Sequence, residues 1–265
     1  MKRDCRRWTR RGLLCAVAGG VGALAGCSGD TSNGEGATDR AAGATDEISA
    51  RPIAERGRPP TICSAEIKSG IRGIVDPAFA DDWAVVADDN DSVHGSSSLG
   101  SDRTVVGLID GDRARAYPID AFWSHEVVND EFGGPVLVTY CPLCNSGMVA
   151  SRVVDDETLT FDASGQLWTP PEIYARASEQ DGDVFVAGRR GTPGPEASIR
   201  TAGNLVLYDL ATESYWSQLL ATSICGDYEG TDLSVRPSTL STWGEWRGEH
   251  PDTDVLLPPP HSELL

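Results

Sequence analysis

Between residues 104 and 217 the chain repeats one punctuation: a short apolar run, a tight polar turn, then a second short run. Such spacing favours antiparallel hairpins over strand–helix alternation. Thr104–Ile109 and Arg113–Pro118 flank Asp110-Gly111-Asp112, where glycine supplies the positive φ that a tight hairpin turn needs. Val149–Val154 and Thr158–Asp162 flank Asp155-Asp156-Glu157, and Leu205–Asp209 and Ser214–Ser217 flank residues 210–213. Gly133-Gly134 breaks the chain before Pro135–Tyr140, an apolar strand of the kind that is buried on both faces. Two short helices interrupt the pattern. Asp120–Glu126 predicts one, with Asp120 as N-cap and Phe122 and Trp123 turned inward. Leu240, Trp243 and Trp246 or Arg247 recur at helical spacing, Thr242 and Glu245 form a capping box, and Pro251 stops the second helix. Trp216, Trp243 and Trp246 are expected in the core. The reading is a β-rich α+β fold of mainly antiparallel hairpins with two short helices.

The ends of the chain read differently. Six basic residues against one acid open the chain, and Thr9-Arg10-Arg11-Gly12-Leu13-Leu14 has the pattern of a twin-arginine export signal. A glycine-diluted apolar stretch, Gly12 to Ala25, is shorter than the roughly 20 residues a membrane span requires. It ends in Leu24-Ala25-Gly26-Cys27, a lipoprotein box in which Cys27 carries the lipid. Residues 1–26 are expected to be this signal. Residues 27–60, rich in Gly, Ala, Thr, Asp and Ser, bury too little to offset their ordering entropy and read as a disordered tether. One globular domain is expected at 61–257, with a surface excursion at 169–203 where four prolines and five glycines gather around a short strand at Val184–Val186. Residues 258–265 read as a tail. The expected location is the extracytoplasmic face of the cell membrane, with the membrane engaged through the lipid anchor.

Charge narrows the partners. Against 22 Lys and Arg stand 40 Asp and Glu, a net of −18, and loss of residues 1–26 would bring it to −23. A nucleic-acid partner is excluded, because phosphate binding needs a basic surface. Only two of the cations are lysines, Lys2 and Lys68, and Asp outnumbers Glu 25 to 15. An Asp-rich, nearly Lys-free surface suits molar salt, where screening shortens to roughly 3 Å. That composition is read as halophilic.

Four of the seven cysteines remain after processing: Cys63, Cys141, Cys144 and Cys225. The simplest of three pairings joins Cys141 to Cys144 and Cys63 to Cys225. Cys141-Pro142-Leu143-Cys144, just after a buried strand, can form a small reducible disulfide, attack another disulfide, or hold a metal ion. Asn145-Ser146-Gly147 leads onward into a strand, so the pair does not head a helix and the fold is not thioredoxin-like. His125 is the natural partner, with Glu126 to orient it, and His250 can return to the same site as a further ligand. His94 and His261 read as exposed bystanders. One reading is thiol redox chemistry with Cys141 as nucleophile, Cys144 as resolving thiol and His125 as base, toward an unknown protein or small-molecule redox partner. A second is copper or zinc held by Cys141, Cys144, His125 and His250. A third is a non-catalytic binding module stapled by disulfides. No GxSxG, phosphate loop or HExxH is present.

A set of segments occurs in the order of one family: Arg115-Ala116-Tyr117-Pro118, His125-Glu126-Val127-Val128-Asn129-Asp130 and Gly133-Gly134-Pro135-Val136 come first. Thr139-Tyr140-Cys141-Pro142-Leu143-Cys144, Ser164-Gly165, Leu207-Tyr208-Asp209 with Trp216 and Gln218, and Trp243-Gly244-Glu245-Trp246 with His250-Pro251 follow. From about Ile67 to Leu257 the chain resembles the prokaryotic domain-of-unknown-function family 3179. The resemblance brings no settled activity. It implies redox or metal chemistry at a chalcogen, with Cys141 as the indispensable sulfur.

Overall fold

Turn chemistry holds first: Gly111 takes φ +60° and joins two strands whose register runs from Asp110↔Arg113 to Val105↔Pro118. The computed structural model describes residues 51–67, 70–83, 99–171, 185–186, 189–190 and 203–265. In chain order the strands are β1 (Ile74–Asp76), β2 (Phe79–Ala80), β3 (Thr104–Asp110), β4 (Arg113–Pro118), β5 (Val127–Glu131) and β6 (Pro135–Cys141). Then come β7 (Ser146–Ser151), β8 (Val153–Val154), β9 (Glu157–Thr158), β10 (Phe161–Leu167), β11 (Phe185–Val186) and β12 (Arg189–Arg190). The last are β13 (Leu205–Asp209), β14 (Tyr215–Ser217), β15 (Thr222–Cys225), β16 (Thr239–Thr242), β17 (Asp254–Leu256) and β18 (Glu263–Leu264). Helix α1 is Ile119–His125 and helix α2 is Trp243–Glu249.

Three sheets stack. A middle sheet has the order β18-β1-β5-β6-β7, a helix-side sheet β16-β3-β4-β17-β2, and a distal sheet β10-β13-β14-β15. Pairing is antiparallel except for β1 with β5 and β4 with β17. Side-chain alternation fixes the layer order, because successive residues of a strand face opposite sides. On β3, Val105 packs with Trp243 and Trp246 of α2, whereas Val106 and Leu108 pack with Val128, Val136 and Val138 of the middle sheet. The other face of the middle sheet sends Val127, Leu137 and Cys141 against Phe161, Ala163, Leu207 and Trp216 of the distal sheet. Beyond that, Val206, Tyr215 and Ile224 receive Ile53 and Ile62 from the N-terminal segment. The middle sheet is thus covered on both faces, and its Val127, Val128, Val136, Leu137 and Val138 are wholly buried. Each such side chain contributes about 1.5–3 kcal/mol by leaving water.

The packed chain extends past 61–257 on both sides. Ile53 is buried, and Arg58 donates to the Ile224 carbonyl and pairs with Glu229 (2.9 Å). Cys63, at the surface, is bonded to buried Cys225 across 162 residues. Closing so long a loop removes about 5 kcal/mol of unfolded-state entropy in the chain-entropy picture. At the other end β18 pairs with β1, and buried Ser262 accepts from the Ala78 amide (2.9 Å) and donates to the Leu257 carbonyl (2.7 Å).

Some local expectations change. Helix α1 begins one residue earlier, after Pro118, and has no side-chain cap; Asp120 lies inside it and pairs with Arg103. Phe122 is buried but Trp123 is 65% exposed, because the seven-residue helix lies on the sheets by one narrow face. The turn at Asp155-Asp156 closes only the two-residue ladder β8–β9. Beyond it, β7 pairs with β6 and β10 with β13, since burial on separate sheets outweighs a longer hairpin. The β13–β14 hairpin, the Thr242–Glu245 capping box and the burial of Trp216, Trp243 and Trp246 are as expected. In the expected excursion, Phe185–Val186 pairs with Arg189–Arg190.

Asn129 and Asp130, adjacent on β5, join the layers. Buried Asn129 accepts from the Phe161 amide (2.8 Å) and donates to the Phe161 (2.8 Å) and Ile74 (3.2 Å) carbonyls, acting as a missing strand for the free edge of β10. Asp130 takes Arg115 (2.8 and 3.0 Å) and the Tyr117 hydroxyl (2.5 Å) from β4. The Arg115 guanidinium also lies over the Phe79 ring at 3.9 Å. Replacing Asn129 by Ala would leave the Phe161 amide and carbonyl buried without partners. The expected loss is about 2–4 kcal/mol, read as a lower urea midpoint with an unchanged slope.

Candidate functional site

Strand β6 runs out at Cys141, and the chain turns through Pro142-Leu143 to Cys144 before β7 begins. Cys141 and Cys144 form a disulfide with Cα atoms 5.2 Å apart. Its two members differ in access: Cys141 is wholly buried against the distal sheet, whereas Cys144 is half-buried beside exposed Leu143. The Cys144 amide donates to Cys141 Sγ (3.2 Å). As expected, no helix follows the pair. The stabilisation that a helix N-terminus gives a thiolate is replaced by this single N–H.

The residue preceding the neighbouring strand, Glu126, comes to the same end of the sheet. Val127 stands opposite Thr139, and the Tyr140 amide donates to the Glu126 carbonyl (3.0 Å), which sets Glu126 beside the residue preceding Cys141. Glu126 terminates α1 in the left-handed region, φ 52°, a conformation that costs a non-glycine residue about 1 kcal/mol or more. Its side chain is buried, and among the described residues no group hydrogen-bonds its carboxylate. Burial, reinforced by the Asp162 carboxylate, pushes the Glu126 carboxyl up to about 7. Burial also raises Asp162, opposed by donation to its Oδ1 from the Gly73 and Ala163 amides (both 2.8 Å). Asp162 lies between Phe161 and Ala163, the β10 residues that pack against Cys141.

His125 is buried and donates Nδ1–H to the Arg72 carbonyl (2.9 Å). A carbonyl only accepts, so the proton sits on Nδ1 and Nε2 keeps its lone pair. Burial lowers the imidazole's pKa, keeping it neutral at pH 7. The orienting group is therefore Arg72, not Glu126 as the sequence suggested. A backbone carbonyl from the segment entering β1 takes the Nδ1 proton of the ring.

His250 stands apart from the other candidates. It caps α2, its amide bonded to the Trp246 carbonyl (2.8 Å) and its ring 4.2 Å from the Trp246 ring. Alternation puts it on the outer side of the helix-side sheet, with two sheets between it and Cys141. The expected fourth metal ligand is thus not brought to the site. Among the described residues no group of three or more His, Cys, Asp or Glu is placed to hold a metal, and both thiols are bonded to each other. Cys27 and His94 lie outside the described residues.

Asp162 and Asn204 were not singled out from sequence, and Gln218 entered only with the family resemblance. Asp162 carries the charge that raises Glu126. Gln218 donates to Thr139 Oγ1 (2.9 Å) and accepts from Ser146 Oγ (3.1 Å), and Ser146 accepts from Asn204 Nδ2 (2.6 Å). This chain of oriented hydrogen bonds ties the first residues of β7 to the distal sheet and holds the disulfide turn in place. An alternation argument finds Asp162, a carboxylate between two core residues of one strand. Nothing local finds Asn204, which reaches Ser146 from 58 residues away.

The chain belongs to the family described as Protein of unknown function (DUF3179), whose family model matches residues 68–179 and 191–263. No curated protein and no solved structure matches it.

The raised Glu126 carboxyl makes stability depend on pH in a stated direction. Unfolded, the group ionises near its ordinary 4.5; folded, it holds its proton up to about 7. Stability it permits at low pH is therefore lost as pH rises through that window. Glu126→Gln is expected to flatten the fall between about pH 4.5 and 7, gaining on the order of 2–3 kcal/mol at the upper end. Urea unfolding across that range reads it, and an unchanged slope with pH would refute the assignment.

Proposed function

We propose that the chain is a thiol–disulfide redox protein held at the extracytoplasmic face of a membrane, with Cys141–Cys144 as its working disulfide. The observation that carries this reading is the asymmetry of the pair, a half-buried cysteine bonded to a wholly buried one whose sulfur receives a backbone N–H. The anchor rests on the N-terminal sequence alone: the Arg10-Arg11 pair and Leu24-Ala25-Gly26-Cys27.

The chemistry follows from access. A client thiolate meets Cys144 Sγ, forms a mixed disulfide there and breaks the Cys141–Cys144 bond. The electron pair leaves on Cys141, where the Cys144 amide stabilises the new thiolate. The client's second thiolate then attacks its own sulfur in the mixed disulfide and releases Cys144. Two electrons, and after protonation two protons, pass from a client dithiol to the cysteine pair. Cys144 is in this scheme the sulfur the client touches, and Cys141, placed first from sequence, is the internal partner. Glu126, protonated below about pH 7, and the free Nε2 of His125 lie at that end of the sheet as proton donor and acceptor.

Alkylation separates the roles. Mild reduction is expected to free two thiols, those of Cys141 and Cys144, that reoxidise with a disulfide donor. In Cys141→Ser the remaining Cys144 should react with iodoacetamide at least about tenfold faster than Cys141 does in Cys144→Ser. A Cys141–Cys144 bond that survives reductants able to open surface disulfides would leave a stapled binding module in place of a redox protein.

A further inference from the structure

The distal sheet carries a second disulfide, and a cation is aimed at its buried end. Cys63 is exposed in the short 3-10 turn Pro60–Ser64, whereas its partner Cys225, the last residue of β15, is 2% exposed. Cys225 packs with Val206, Tyr215 and Ile224, in the patch that also takes Ile53 and Ile62. Arg58 directs Nη1 to Cys225 Sγ at 3.6 Å, and the same nitrogen donates to the Ile224 carbonyl and pairs with Glu229 Oε2 (2.9 Å). The Arg58 side chain is 16% exposed and that of Glu229 38%, so the cation is largely withdrawn from water while its counter-charge lies nearer the surface.

A neutral disulfide sulfur gains little from a guanidinium 3.6 Å away, whereas a thiolate there accepts a charge-assisted hydrogen bond. In an apolar patch that difference matters, because a buried thiolate without a cation or donor is disfavoured. Arg58 thus favours the state in which Cys225 has taken an electron pair. The contacts that place Cys63 do not need the bond. Ile62 before it is buried, and two residues after it the Ala65 carbonyl accepts from the Tyr215 hydroxyl (2.8 Å).

We infer that Cys63–Cys225 is a second thiol-exchange site, where an external dithiol attacks Cys63 and Cys225 leaves as a thiolate beside Arg58. Attack falls on Cys63 because it is the member of the pair at the surface. The incoming thiolate forms a mixed disulfide with Cys63 Sγ, the Cys63–Cys225 bond breaks, and its electron pair passes to Cys225 Sγ. The reductant's second thiolate then attacks its own sulfur in the mixed disulfide, which forms the reductant's disulfide and releases Cys63. Two electrons, and two protons once both sulfurs are protonated, pass from the dithiol to the cysteine pair. With Ile62 and Ala65 still docked, Cys63 stays over β15 and the bond can re-form. Opened, the site leaves residues 51–62 on the distal sheet by noncovalent contacts alone. Exchange here needs nothing from Cys141–Cys144.

Reduction of the folded full chain tests this, with iodoacetamide quenching and peptide mass spectrometry reading Cys63 and Cys225 apart from Cys141 and Cys144. Dithiothreitol is expected to open Cys63–Cys225 without loss of the folded circular dichroism spectrum. With the monothiol 2-mercaptoethanol, quenched by acid, the adduct should appear on Cys63 at least about tenfold more than on Cys225. Two variants separate electrostatics from packing, since both break the same ion pair. Arg58→Gln should slow opening at least about threefold, and Glu229→Gln, at an exposed position, should speed it at least about twofold. Were Arg58 only a clamp, both variants would loosen the segment and both would speed opening. A bond that opens only in denaturant, an adduct mainly on Cys225, or variants that do not shift the rate in these opposite directions overturn the inference. Exchange at Cys63–Cys225 beside an inert Cys141–Cys144 refutes only the earlier reading, and the reverse refutes only this one.

Discussion

Two adjacent side chains on β5 hold the three sheets in one stack. Asn129 reaches one way to the backbone of β10, and Asp130 reaches the other way to Arg115 and Tyr117 of β4. Hydrophobic burial alone specifies that sheets stack, with little to say about where one sits on the next. These polar contacts have fixed directions, and left unmade in a buried site they are costly. They therefore fix the sliding position of both neighbours against β5. Everything at the end of that strand inherits the registration, including the approach of Asp162 to Glu126 and of the distal sheet to Cys141.

The same strand explains how a single turn of chain combines scaffold and chemistry. In His125-Glu126-Val127-Val128-Asn129-Asp130 the last two polar residues bind neighbouring sheets, the valines fill the two cores, and the first two residues remain at the sheet's end. A helix stops there in a left-handed residue, and burial reinforced by the Asp162 carboxylate raises the Glu126 carboxyl. Neighbouring acids in a low-dielectric setting cannot ionise together cheaply, so one of them keeps a proton near neutrality.

Much of this was legible in the sequence, and the failures have physical causes. The hairpin announced by Asp110-Gly111-Asp112 formed because turn geometry is a local property of a few residues, whereas Gly133-Gly134, read only as a break, joins β5 to β6. Which strands then pair across the molecule was not local: β10 abandoned its short turn for β13, and the tail joined β1. Trp123 was expected inside because it is large and apolar, but a helix of seven residues has too narrow a contact face to bury two consecutive aromatics. Cysteine spacing indicated the Cys141–Cys144 and Cys63–Cys225 pairs. It could not show that Cys141 is wholly buried and Cys144 half-buried, since burial depends on Trp216 and its neighbours 72 to 75 residues later. His250 drew attention by residue type; its sheet faces the other way.

The Cys63–Cys225 bond also has a mechanical meaning. Residues ahead of Cys63 lie on the distal sheet by modest contacts, Ile53 in its apolar patch and Arg58 on Ile224 and Glu229. Tension along the chain from its N-terminal side peels those contacts one at a time, and then stops at a covalent bond. From Cys63 onward the load passes directly into β15, which is hydrogen-bonded to β14 along its length. The strands bearing Glu126 and the Cys141–Cys144 turn lie one sheet away from that load path. A pull from the N-terminal side can thus be borne without disturbing the geometry at the far end of β5.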